Sequence, residues 1–187
     1  MNTFRIIDSP VGGLVVVANG SVLTGIYHEY HSPEPSPLLL GVPSVPGVSY
    51  LAMDGNDHSP SPMPDPGAEQ IFAQTAEWLE AYFSGAKRDP LRYEIQTGTD
   101  FQRSVWAEVA EIPYGATRTY KDVAAALGND AMGRAVGAAV RANPISIMLP
   151  GHRVVGAGGA VTGYAAGVAV KRALLELEAS VLGQSVA

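Results

Sequence analysis

The stretch TYKDVAAALGNDAMGRAVGAAVRANP, residues 119–144, carries two short helical patterns with a few residues between them. The first runs from about Tyr120 to Leu127 and stops at Gly128, a residue suited to the left-handed backbone that ends helices. The second begins after Asn129 or Asp130, both good N-caps, and ends before Pro144, which cannot continue a helix. Two short helices joined by a glycine-containing turn read as a helix-turn-helix. Its second helix is odd for a reader of major grooves. Ala135, Gly137, Ala138 and Ala139 leave the face nearly bare, and only Arg134 and Arg141 offer long donors. Small residues of this kind let helices pack closely. They equally let a smooth helix enter a narrow groove and push one long side chain, Arg134, into the base stack.

Outward from that core, FQRSVWAEVAEI (101–112) places Phe101, Val105, Trp106 and Val109 on one helical face, with Asp100 as N-cap and Pro113 as stop. ISIMLP (145–150) reads as a short buried strand, and GVAVKRALLELEASVL (167–182) as a closing amphipathic helix. Further upstream, AEQIFAQTAEWLEAYFSG (68–85) repeats Ile71, Phe72, Thr75, Trp78, Leu79 and Tyr82 at helical spacing, and KRDPLRYEIQTGTD (87–100) is a strand or linker. The opening FRIIDSPVGGLVVVANGSVLTGIY (4–27) alternates β-branched runs with a Pro/Gly turn and an Asn19-Gly20 hairpin signal, giving a small antiparallel sheet. Residues 31–67 are rich in Pro, Ser and Gly apart from an apolar interruption at 48–53, and read as a long, partly mobile surface loop. A Pro-rich ligand for a partner domain is the alternative for that loop. The expected architecture is α/β (α+β), with a small-sheet N-terminal lobe at 1–92 and a mostly helical C-terminal lobe at 93–187.

Composition narrows the function. No apolar run approaches the roughly 18 residues that span a bilayer, so a cytoplasmic protein without membrane contact is expected. The absence of cysteine excludes disulfides, thiolate metal sites and a cysteine nucleophile. His28 and His31 would point to opposite faces of a continuing strand and His58 lies in the Pro/Ser-rich loop, so these histidines read as solvated and no metal is expected. The net charge of −6 argues against a protein that coats nucleic acid, but its distribution is uneven. Residues 1–100 hold 4 basic and 12 acidic side chains (4 − 12 = −8), residues 101–187 hold 8 and 6 (8 − 6 = +2). Any nucleic-acid surface belongs in the second half, with the acidic first half turned away from phosphate.

Taken together, TDFQRSVWAEVAEIPYGATRTYKDVAAALG, GRAVGAAVRANPISIMLPGHRVVGAGGAVTGYAAG and KRALLELE resemble the O6-alkylguanine-DNA alkyltransferases and their non-repairing relatives, the alkyltransferase-like proteins. The likeness is close over about residues 98–178 and looser over 1–90. It implies a helix-turn-helix that binds the minor groove of double-stranded DNA containing alkylated guanine, flips the damaged base, and needs no cofactor. Carried onto this sequence, it makes Arg134 the finger that fills the flipped base's space, and Tyr120 the side chain that rotates the phosphate and lines the pocket. Asn143 becomes the hinge between recognition helix and active-site loop, Tyr164 a neighbour of the guanine, and His152 the imidazole that activates the nucleophile through water. Glu178 orients that imidazole, and Arg153 is structural. Ala135, Gly137, Ala138, Arg141, Val154 and Ala165 join the DNA- and base-contacting set. A monomer is implied, with excision-repair proteins as further partners.

The departure is in LPGHRVVG (149–156), where Gly151 occupies the slot of the family's nucleophilic cysteine. Self-alkylation should be absent, because neither Ser146 nor Thr162 stands in that slot. The alkyltransferase-like proteins usually carry Trp there, which fills part of the pocket, whereas glycine should leave room for a larger adduct or water. Three functions remain open: a lesion-recognition protein without alkyl transfer; an O6-methylguanine-DNA methyltransferase inactivated by a Cys-to-Gly replacement at 151; and a hydrolase in which His152, oriented by Glu178, activates water.

Overall fold

The computed structural model describes residues 1–44, 65–86 and 89–183. Strands β1 (Asn2–Ile7), β2 (Leu14–Asn19) and β3 (Val22–His28) form the expected antiparallel meander. The β2–β3 turn puts Gly20 at φ 53°, a backbone that glycine adopts without a Cβ penalty. The sheet is nevertheless mixed. After the short helix α1 (Pro37–Leu40), the two-residue strand β4 (Val42–Pro43) pairs parallel to β1, giving the order β3-β2-β1-β4. The front of the expected 31–67 loop is therefore structured; residues 45–64, with His58 and the apolar interruption, lie outside the described residues.

Helix α2 (Pro66–Phe83) starts slightly before the periodic pattern, with Pro66 in the first turn and the Asp65 carboxylate accepting from the Gly67 and Ala68 amides. Its buried stripe includes all six residues of the helical repeat, Ile71 through Tyr82, and packs on the sheet. Helix α3 (Asp100–Ala110) is capped by Thr99 rather than Asp100. The Thr99 hydroxyl accepts from the Gln102 amide while the Gln102 side chain accepts from the Thr99 amide, a reciprocal box that a lone Asp cap lacks.

The helix-turn-helix is present as α4 (Tyr120–Ala126) and α5 (Gly133–Arg141), joined through a 3₁₀ turn at Asp130–Met132 that Asn129 caps. A two-stranded parallel sheet, β5 (Arg118–Thr119) with β6 (Val154–Val155), ties the start of α4 to the chain that follows Gly151–Arg153. Helix α6 (Val168–Val181) closes the described chain.

ISIMLP is buried but is not a strand. The Ile26 amide donates to the Pro144 carbonyl and the Ser146 amide to the Ile26 carbonyl, after which the chain turns at once. The turn holds Ile147 at φ 70°, an uncommon and strained conformation for a β-branched residue. Leu23 likewise accepts from the Glu94 amide. The β3 edge is thus covered by two later segments, and one apolar cluster runs from Leu14 to Leu174. Among the described residues no helix is long and apolar enough to cross a membrane.

Candidate nucleic-acid interface and buried relay

The exposed side of α5 carries Arg134, Ala135, Ala138 and Arg141, spaced to lie along one face. Ala139, read from sequence as part of the bare face, is instead 2% exposed, and its carbonyl accepts from the Trp106 indole at 2.8 Å. Close packing therefore accounts for Ala139, while the outward alanines face solvent. Between α4, α5 and residues 157–163 lies a cleft of about 860 Å³, lined by Tyr120, Arg134, Gly137, Ala138 and Arg141 among others. Gly137 faces the Tyr120 ring, and a Cβ there would sit at ordinary contact distance, 3.6 Å from Tyr120 Cε1. Ala135 lies outside the cleft lining.

Tyr120 is anchored at the cleft wall, its hydroxyl 2.9 Å from the Thr162 carbonyl and 3.2 Å from that of Gly163. The sequence reading missed Lys171, whose ammonium is fully buried and donates to the Thr162, Gly163 and Val154 carbonyls and to the Tyr120 hydroxyl. Burial lowers its pKa to about 8, still cationic at neutral pH. A lysine on the buried stripe of α6, between apolar positions, was the available signal.

Behind the cleft, Gly151, His152, Arg153, Val154 and Glu178 come together in the core. Asn143 joins the two regions. Its amide nitrogen donates to the Leu149 carbonyl at 2.7 Å and its oxygen accepts from the Ile145 amide at 2.9 Å, closing the strained turn. Glu178 Oε1 lies 2.7 Å from His152 Nε2 and 2.8 Å from the Tyr82 hydroxyl, which donates to it. Arg153 grips both carboxylate oxygens, and the Gly115 amide donates to Oε2. Burial alone would raise the Glu178 carboxyl; the hydrogen bonds from His152 and Arg153 and the charge of Arg153 prevail and hold it at about 2. Burial is the largest influence on His152 and lowers it despite Glu178, so the imidazole is neutral at pH 7. With an ionised partner, Nε2 carries the proton and Nδ1 the lone pair; Nδ1 is buried without a hydrogen-bond partner among the described residues. Arg153 supplies the compensating charge, and Tyr82, from the helical repeat of α2, bonds the same carboxylate.

Gly151 has less space around it than the sequence suggested. A Cβ there would lie 3.2 Å from Val140 Cγ1 and 3.5 Å from Asn143 Nδ2, so one extra carbon fits only with a small yield of Val140. Tyr164 and Ala165 are buried, 8% and 5% exposed, and outside the cleft lining. The reading of His28 and His31 as solvated is wrong. Strand β3 ends at His28, the chain turns so that the His31 amide donates to the His28 carbonyl, and both rings are buried, at 3% and 6% exposure. No group of three His, Cys, Asp or Glu residues among the described ones is arranged to hold a metal ion.

A helix-turn-helix with a cleft between its two helices, on a scaffold that buries a His152-Glu178-Arg153 cluster, has the form of a DNA-binding protein. Residues 100–180 match the model of the 6-O-methylguanine DNA methyltransferase DNA binding domain. A methylated-DNA–protein-cysteine methyltransferase of Mycobacterium bovis is 40% identical over 180 residues, covering 95% of this chain and 92% of the relative. The crystal structure of the Mycobacterium tuberculosis O6-methylguanine methyltransferase is 40% identical with a TM-score of 0.74, covering 96% of this chain and 94% of that one. That of Mycobacterium tuberculosis OGT in complex with DNA is 38% identical with the same TM-score and coverage. The chain belongs to the O6-alkylguanine-DNA alkyltransferase family.

Proposed function

We propose that this protein recognises O6-alkylguanine in duplex DNA from the minor groove and extrudes the base, without taking the alkyl group onto itself. The observation that carries this reading is Gly151 at the head of the intact His152-Glu178-Arg153 relay in a chain without cysteine. Recognition and transfer are separable, because groove binding and base extrusion need Tyr120, Arg134 and the smooth face of α5, whereas transfer needs a thiolate. Arg134, exposed at the cleft rim, is the side chain that enters the base stack, and Arg141 contacts phosphate. Residues 93–187 supply these contacts, residues 1–92 face away, and the monomeric complex marks the site for excision-repair proteins.

The test is titration of one duplex with and without a single O6-methylguanine, followed by mass analysis of protein and DNA. Tighter binding to the lesion with both masses unchanged is expected; equal affinity for the two duplexes overturns the reading. Gly151→Cys should become S-methylated, gaining the net mass of one CH2 per protein as the methyl replaces the thiol hydrogen, since the relay is in place and the new Cβ needs only a small shift of Val140. A second reading, slow hydrolysis of the adduct, is favoured by Nδ1 of neutral His152, which has no hydrogen-bond partner among the described residues. Recovery of adduct-free DNA in excess over protein distinguishes it.

A further inference from the structure

The cleft wall at Thr162 and Gly163 is gripped from two sides. Lys171 and Tyr120 hold its carbonyls from α6 and α4. The residues that follow immediately are held by the N-terminal half. His28 Nε2 and the Tyr164 hydroxyl hydrogen-bond at 3.1 Å, with the rings edge-on at 5.4 Å between centroids. Four residues further, the Ser32 amide donates to the Ala165 carbonyl at 2.8 Å. Neither ring can swing to solvent for a substitute partner, since His28 is 3% and Tyr164 8% exposed. The pair ties the sheet to the cleft wall across 136 residues of sequence.

We propose that His28 is a positioning residue for lesion recognition: through Tyr164 it fixes the Thr162–Gly163 wall of the cleft, so the sheet half of the chain sets the shape of the site that the helical half presents to DNA. The inference rests on the lesion-binding reading above. It separates two quantities. Affinity for undamaged duplex depends on phosphate contacts made by α4 and α5, which His28 does not touch. Preference for the lesion depends on the cleft wall, which it does.

The experiment measures affinity for the O6-methylguanine duplex and its undamaged counterpart with the parent chain and with His28→Ala, His28→Gln, Tyr164→Phe and His28→Ala/Tyr164→Phe, each checked for cooperative melting. Losing one buried hydrogen bond should reduce the lesion preference about fivefold in His28→Ala while undamaged-duplex affinity stays within twofold of the parent, a margin of roughly 0.4 kcal/mol. His28→Gln, which can still bond the phenol, should recover most of the preference. The double variant should be no worse than Tyr164→Phe, because that substitution by itself removes the His28 bond along with the phenol's bond to Ser146. An unchanged preference in His28→Ala overturns the inference while leaving the lesion-binding reading intact; so does an equal loss of affinity for both duplexes. If the parent chain itself shows no preference, the lesion-binding reading fails and the inference fails with it.

Discussion

Replacing Glu178 by glutamine removes one charge from the centre of the molecule and keeps the side chain's shape. The carboxylate is fully buried and meets five donor atoms from four residues: His152 Nε2, the Tyr82 hydroxyl, the Gly115 amide, and Arg153 Nε and Nη2. The variant leaves the Arg153 guanidinium, 11% exposed, without its counter-charge. Breaking a buried pair from one side costs about 3–5 kcal/mol. The titration behaviour leads to a similar size: a carboxyl held at about 2 instead of 4.5 favours the folded carboxylate by roughly 3 kcal/mol, at about 1.4 kcal/mol per pH unit. For a chain of this length each kcal/mol moves the melting midpoint by about 2–4 °C, so a fall of roughly 6–20 °C is expected. Urea denaturation at pH 7 with an unchanged m-value is the assay, with calorimetry for the midpoint. Glu178→Gln/Arg153→Met should cost less than the sum of its parts, since it removes both charges. A loss below about 1 kcal/mol for Glu178→Gln would refute the buried-pair reasoning, because that is the size of a solvated surface pair.

Acid should act in two separate windows. His28 and His31 are held at about 4 chiefly by burial, with His31 and His152 adding to the effect on His28, so the folded state binds fewer protons than the unfolded chain below 6.5. Their stabilisation is present above 6.5 and fades as pH falls towards 4, by up to about 3 kcal/mol each; Glu178 contributes its loss only between 4.5 and about 2. Urea midpoints measured from pH 7 to pH 4 check this, and His28→Gln should flatten the upper window. Lys171→Met should release the Val154, Thr162 and Gly163 carbonyls from their common donor, costing at least about 2 kcal/mol and speeding amide exchange over residues 156–164. Arg134→Ala should reduce preference for the alkylated duplex more than affinity for plain duplex, whereas Arg141→Ala should weaken both alike and reduce the salt slope by about one.

Much of the fold was legible because its signals are local. The β-branched runs around Asn19-Gly20, the stripe from Ile71 to Tyr82, and the two short helices around Gly128 each report burial within a single element. Errors arose where one local preference competed with another. Asp100 and Thr99 are both adequate caps, and the choice fell to Thr99 because Gln102 reciprocates. ISIMLP has strand composition, but only Ile145 and Ser146 reach β3 before Asn143 and Leu149 close the turn. Ala139 resembles its neighbours in composition and is distinguished by facing the Trp106 indole.

By itself, then, the sequence determined the antiparallel meander, the main helices, the helix-turn-helix with its small-residue face, and the absence of cysteine. These depend on residue identity and spacing along a few turns. Only the tertiary structure decided that Tyr82 joins Glu178 across 96 residues, that His28 reaches Tyr164 across 136, and that Lys171 turns inward to bind three carbonyls. Periodicity can place a polar side chain on a buried face, but its partner is chosen by how the sheet, the turn at 143–149 and α6 meet. A buried polar group must find that partner or lose the energy of leaving water.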